Sequence, residues 1–170
     1  RIQRASQEMR ELMHTFLQLA RDNLKTETAE KTTLADMAQE QKMHWQMIAE
    51  AKGLALQLVE EAPTGDGLYN TPLLRAVLAN LLRNAVHYTD TGYVRLVTFY
   101  NGFRVEDSGR GIDKTQQEAV FHPFVRGEGA RGEGLGLGLS LVKRICAHQG
   151  WQIRLHSLEA GGSCFSVSLN

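Results

Sequence analysis

Residues 132–139 read Gly-Glu-Gly-Leu-Gly-Leu-Gly-Leu and run straight into an apolar stretch with helical spacing, Ser140-Leu-Val-Lys-Arg-Ile-Cys146. Glycine at every second position, followed at once by a helix start, describes a backbone that must pass close to something. Only glycine lacks the side chain that would block such an approach and tolerates positive φ. The first N–H groups of the following helix have no intrahelical partner and lie at the positive end of its dipole, so they can receive phosphate oxygens. The run is therefore a phosphate-binding candidate, although a loop packed tightly beneath a sheet uses the same residues. No Lys-Ser or Lys-Thr follows the glycines and no clear strand feeds them, which excludes a P-loop and disfavours a Rossmann turn.

At 170 residues the chain is long enough for about one domain, or one domain with an appended element. A hydrophobic fraction of 42% supports a real core, and 22% charged residues without a low-complexity tract argue against disorder. Nineteen basic residues balance nineteen acidic ones, so no electrostatic footprint for a nucleic-acid partner exists. Cys146 and Cys164 lack metal-type spacing and read as buried thiols in a reducing compartment. No run of 18 apolar residues and no signal peptide is present, so these residues are expected not to insert into a membrane. Arg1 falls within a helical pattern and no initiator methionine precedes it, so the chain reads as a fragment with room for a membrane segment upstream.

Ile2, Ala5, Met9, Leu12, Phe16 and Leu19 alternate spacings of three and four, an a/d seam that asks for a partner helix. A helix packed only on its own domain would show the same pattern. Residues 1–22 are taken as this helix, 23–33 as a polar linker and 34–170 as the main domain. Helical spacing from Leu34 to Lys52 ends at Gly53 as a C-cap, and Leu54 to Glu60 reads as a strand. Thr71-Pro72 opens the next helix, with the threonine as N-cap, and Leu73, Leu74, Val77, Leu78, Leu81, Leu82 and Val86 form its broad apolar face. Tyr93 to Tyr100 and Gly102 to Glu106 pair around Asn101-Gly102; Trp151 to Leu158 and Ser163 to Leu169 pair around Ala160-Gly-Gly162. This order predicts an α/β sandwich with helices on one face of a mixed, mainly antiparallel sheet.

On the long helix Asn80, Asn84 and His87 share one face. An asparagine carbonyl oxygen suits Mg²⁺, which keeps most of its waters and takes few protein oxygens; a solvated helix face is the alternative. Val105-Glu106 leads into Asp107-Ser-Gly-Arg-Gly-Ile112, an ordinary turn or a carboxylate that accepts from an exocyclic amine. Adenine offers that amine where guanine presents a carbonyl.

Taken in order, Asn80-Leu-Leu-Arg-Asn84-Ala, Asp107-Ser-Gly-Arg-Gly-Ile112, Phe121-His-Pro-Phe124 and Gly134-Leu-Gly-Leu-Gly138-Leu resemble the N, G1, F and G2 boxes of the sensor histidine kinases. These belong to a wider ATPase group with DNA gyrase B, Hsp90 and MutL, and the resemblance covers about residues 34–170. It implies an α+β fold, a two-layer α/β sandwich of the Bergerat type, preceded by a dimerisation-hairpin helix. It implies ATP and Mg²⁺ as ligands, with Asn84 on the metal, Asn80 nearby, His87 reaching the phosphates and Tyr88 lining the pocket. Asp107 would bind the adenine amine, with Gly109, Gly111 and Ile112 shaping the base pocket. Residues 113–133 would form a lid anchored by Phe121 and Phe124, with Arg126 and Arg131 as phosphate contacts. Gly134, Leu135, Gly136, Leu137, Gly138 and Leu139 would meet the phosphates at the next helix.

The hydrolysing relatives carry a glutamate general base where this chain has Asn80. An amide does not take a proton from water at neutral pH, which favours a kinase over an ATPase or chaperone-like relative, or a non-catalytic nucleotide-sensing module. His122 stands where the family's F box is usually acidic. The family's phosphoacceptor motif is missing: His14 is followed by Thr-Phe and reads as part of a solvated helix face. The resemblance thus implies the cytoplasmic catalytic domain of a homodimeric kinase of the bacterial inner membrane, with a response regulator receiver domain as partner and the acceptor histidine outside these residues.

Overall fold

A computed structural model describes residues 30–122 and 138–170, together with Gln7, Met9, Arg10, Met13, His14 and Leu17. These six N-terminal residues are helical and exposed, as expected for His14; the other members of the heptad seam lie outside the described residues.

Helix α1 (Leu34–Ala51), helix α2 (Thr71–Tyr88) and helix α3 (Gly138–Gln149) pack on a five-stranded sheet. Its strands are β2 (Ala55–Glu60), β4 (Tyr93–Phe99), β5 (Gly102–Asp107), β6 (Gln152–Ser157) and β7 (Ser163–Ser168), in the order β2-β4-β5-β7-β6. Only β2 and β4 run parallel, because α2 lies between them in the chain; β4–β5 and β6–β7 are hairpins and β5–β7 is also antiparallel. The helices cover one face: Val94, Leu96, Phe103, Val105, Phe165 and Val167 share one core with Leu73, Leu74, Val77, Leu78, Leu81 and Leu82 of α2. Each of those α2 side chains is fully buried, worth about 1.5–3 kcal/mol apiece. The opposite face is polar, with Arg95 donating to Gln57 (3.0 Å) and Glu106 (3.3 Å), and Arg104 bridging Glu106 and Glu61. The expected two-layer sandwich with a mixed, mainly antiparallel sheet is therefore the observed fold.

Two short strands complete the framework. Strand β1 (Lys31–Thr32) pairs with β3 (Tyr69–Asn70), and Thr71 N–H donates to the Glu30 carbonyl at 2.9 Å. Residues 30–32, expected in the linker, are thus bound to the residues that start α2, and Thr33 caps α1. Between the helices, Arg75 binds Glu40 through two hydrogen bonds of 2.8 and 2.9 Å at an exposed site, a contact worth no more than about 1 kcal/mol. Lys52 follows α1, and its Nζ donates to the carbonyls of Val86 (2.7 Å) and His87 (2.9 Å), where the last turn of α2 lacks intrahelical donors. Lys52, not Gly53, is the C-cap of α1; Gly53 follows it at φ +83°, the left-handed turn that glycine allows beyond a helix end. Cys146 and Cys164 are free and buried, and desolvation pushes their thiols up to about 12 and about 11.

The start of α2 differs from the sequence expectation. Asn70, not Thr71, is the N-cap: its Oδ1 accepts from Leu73 N–H at 3.1 Å, and Pro72 follows within the first turn. Thr71 belongs to the helix, and its Oγ1 is buried without a hydrogen-bond partner among the described residues. Asn70→Ala is expected to lower stability in urea titration by about 1 kcal/mol. Thr71→Val keeps the shape and removes an orphaned hydroxyl, so it should leave stability unchanged or raise it by about 1 kcal/mol.

Candidate functional site

The apolar side of α2 faces the core, and the polar stripe bearing Asn80, Asn84 and His87 brings Asn80 against the start of α3. Asn80 is the most buried of the three, at 8% exposure, and its amide is engaged at both ends. Its Nδ2 donates to the Ala76 carbonyl at 2.6 Å, and its Oδ1 accepts from Arg83 Nη1 at 3.1 Å. The same Oδ1 lies 2.9 Å from where a Cβ on Gly138 would stand, so a side chain there would force the Asn80 amide to shift. Asn84 and His87 are partly exposed, one and two turns further along. The His87 ring meets Tyr88 edge-on at 5.1 Å between centroids, and Lys52 holds the backbone of this last turn.

Across the site, β5 ends at Asp107, buried at 6% exposure. Its Oδ1 accepts backbone N–H donors from Gly109 (3.0 Å) and from Ser163 (3.3 Å), which belongs to β7. Gly162, at φ +95°, lies so close that an added Cβ would stand 1.8 Å from the Asp107 carbonyl oxygen. Any other residue there would drive β7 away from β5. Ser108 closes the strand entry: Tyr93 N–H donates to its Oγ at 2.8 Å, and its own N–H donates to the Tyr93 carbonyl at 3.1 Å. Gly111 lies beside the Gly162 carbonyl, and Ile112 packs on the core.

Phe121 ends a short 3₁₀ turn (Ala119–Phe121) and is held on two sides. Its ring meets Phe165 edge-on at 6.0 Å, and Lys143 Nζ of α3 stands 5.4 Å above it, while Leu139 packs on the core from the first turn of α3. His122 is exposed. The described structure brings Asn80 to Gly138, sets Gly109 beside Asp107 and the Tyr88 carbonyl, sets Gly111 beside Gly162, and holds Phe121 against α3; Ile112 and Leu139 pack on the core, and Asn84 and His87 lie partly exposed along α2. Phe124, Arg126, Arg131, Gly134, Leu135, Gly136 and Leu137 lie outside the described residues. Ser163 and Gly162 were read only as a hairpin turn and strand start. Their sequence signal is the pair Gly161-Gly162 ahead of a serine, which does not reveal that the hairpin delivers an N–H to Asp107.

The sequence profile of the Histidine kinase-, DNA gyrase B-, and HSP90-like ATPase family matches residues 69–170. The chain belongs to this family. Its domain is an ATP-binding domain of the histidine kinase type: it is 41% identical over 100 residues to the sensor protein TorS of Escherichia coli (strain K12), a match covering 56% of this chain and 11% of TorS. It is 37% identical over 123 residues to the sensor-like histidine kinase SenX3 of Mycolicibacterium smegmatis, covering 67% of this chain and 32% of SenX3. The chain thus spans about a tenth to a third of the length of these relatives. Among solved structures, the cytoplasmic segment of histidine kinase QseC matches with a TM-score of 0.70 at 25% identity, covering 98% of this chain and 94% of that one. Full-length ShkA in complex with AMPPNP matches with a TM-score of 0.75 at 23% identity, over 93% of this chain and 35% of that one, a likeness of fold.

Within this histidine kinase-type domain, Asp107 is held against its own solvation preference. Burial pushes its pKa above the ordinary 3.8, and the N–H donors of Gly109 and Ser163 pull against that shift. A raised carboxyl pKa gives a stability contribution fully present below pH 3.8 and lost as pH rises through the raised value. At neutral pH the ionised group therefore weighs against the fold. Asp107→Asn should leave the thermal midpoint at pH 7 unchanged or higher, while calorimetry shows adenine-nucleotide affinity reduced by about 100-fold or more. A lower midpoint, or unchanged affinity, contradicts this account.

Proposed function

We propose that this chain is the catalytic part of a sensor histidine kinase, in which ATP lies between Asp107 and the start of α3 and its γ-phosphoryl passes to a histidine outside these residues. The observation that carries the reading is the Asn80 amide, engaged with Ala76 and Arg83 and unable to accept a proton. With no base at this position to activate water, ATP is preserved for an external nucleophile. The histidine nitrogen attacks the γ-phosphorus, the bridging bond to the β-phosphate breaks, and ADP leaves. The phosphoryl group then moves to an aspartate of a response regulator receiver domain.

In this reading Asp107 takes the exocyclic amine of adenine, Tyr88 and Ile112 line the base pocket, and His87 reaches the phosphates. Asn84 fits Mg²⁺: it is partly exposed on the same helix face, and its neutral oxygen suits an ion that keeps several waters. Bound there, Mg²⁺ would neutralise phosphate charge. Arg126 and Arg131 would add phosphate contacts, and Gly134, Leu135, Gly136 and Leu137 would continue the loop that ends at Gly138. Phosphoryl transfer asks mainly for positioning and charge stabilisation, so a site of amides, backbone N–H groups and cations is sufficient.

Residues 1–22 are assigned to the second helix of a dimerisation hairpin, 23–33 to the linker and 34–170 to the catalytic domain. The whole protein would be a homodimer with this domain in the cytoplasm and its sensor in the bacterial inner membrane. Among the described residues no helix is long and apolar enough to cross a membrane. Supplying a separate dimerisation hairpin with its acceptor histidine should give a labelled hairpin from γ-labelled ATP. Binding of ATP with no label on the hairpin rejects the kinase assignment, and steady-state hydrolysis that Asn80→Ala removes would favour an ATPase instead.

A further inference from the structure

Arg83 occupies the same stripe of α2 as the proposed site residues, three residues after Asn80 and four before His87. Its hydrogen bond to Asn80 Oδ1 at 3.1 Å places the guanidinium on the side of α2 that meets α3. That oxygen is also the atom 2.9 Å from the would-be Cβ of Gly138, the first residue of α3. A side-chain cation and the first residue of a 12-residue helix therefore both lie against a single amide oxygen, close to the positive end of that helix. Such a junction draws an anion, and a guanidinium suits phosphate because its N–H groups form a planar fork.

We propose that Arg83 is a phosphate-reading residue of the nucleotide site, distinguishing nucleotides by how many phosphates extend toward α3. The inference rests on the proposed placement of ATP between Asp107 and α3. Asp107 is assigned the base, which AMP and ATP share; Arg83 acts at the other end, where only the longer phosphate chain reaches. Its bond to Asn80 orients the guanidinium, so one residue links the catalytic stripe to the ligand's charge.

Calorimetry of the 170-residue chain with AMP, ADP and ATP tests this, using Arg83→Gln, Arg83→Ala and Arg83→Lys. Arg83→Gln is the decisive variant, because it retains a donor for Asn80 and removes the charge. Expected is a loss of ATP affinity of about tenfold in Arg83→Gln and Arg83→Ala, AMP affinity within about twofold of the parent, and a smaller ATP loss in Arg83→Lys, which keeps the charge without the planar fork. Equal losses for AMP and ATP, or an Arg83→Gln variant that binds ATP like the parent, overturn the inference while leaving the site assignment standing. A parent chain that binds none of the three nucleotides overturns both. Should Arg83→Ala fail to fold, the comparison of Gln with Lys decides the question in the same way, since each keeps a donor at the position.

Discussion

The carboxylate of Asp107 is the fixed point around which the β5 end of the candidate site is assembled. It terminates β5, is buried, and is held by N–H groups from its own turn and from β7. A buried carboxylate needs donors, and one of these two reaches it from a residue 56 positions further along the chain. The need explains Gly162, whose missing side chain lets the hairpin approach the Asp107 carbonyl, and Ser108, which locks the same turn to β4. The residues that shape this end therefore act as one unit: displacing β7 would remove a donor from the carboxylate.

Helix α2 has two roles along its length. One side supplies fully buried leucines and a valine to the core, while the other carries asparagines, an arginine and a histidine toward α3. The polar stripe is held because its members satisfy one another locally: Asn80 bonds back to Ala76 and accepts from Arg83, and Lys52 caps the last turn. The sheet provides the rigid floor and α3 the facing wall, so the stripe is fixed by packing on two sides rather than by its own propensity.

Much of this was legible from residue order. The hairpins around Asn101-Gly102 and Ala160-Gly-Gly162, the long apolar face of α2, and the shared face of Asn80, Asn84 and His87 are local patterns, and local patterns survive in sequence. What was misread was equally specific. Thr71-Pro72 matched a cap signature, yet the β1–β3 pairing sets Asn70 at the cap and buries the Thr71 hydroxyl. Lys31–Thr32 lies in a polar stretch that reads as linker, because its partner strand, Tyr69–Asn70, is far away along the chain. Ser163 reads only as the start of a hairpin strand, since nothing local marks an N–H aimed at a carboxylate.

The sequence by itself determined the element order, the amphipathic faces and the family motifs, because each depends on residues within a few positions of one another. Tertiary structure alone decided the β1–β3, β2–β4 and β5–β7 pairings, that the β7 start donates to Asp107, and that Asn80 stands between Arg83 and Gly138. Those contacts join distant segments, and their geometry is set by how the helices and sheet pack, a property that spacing along the chain does not encode.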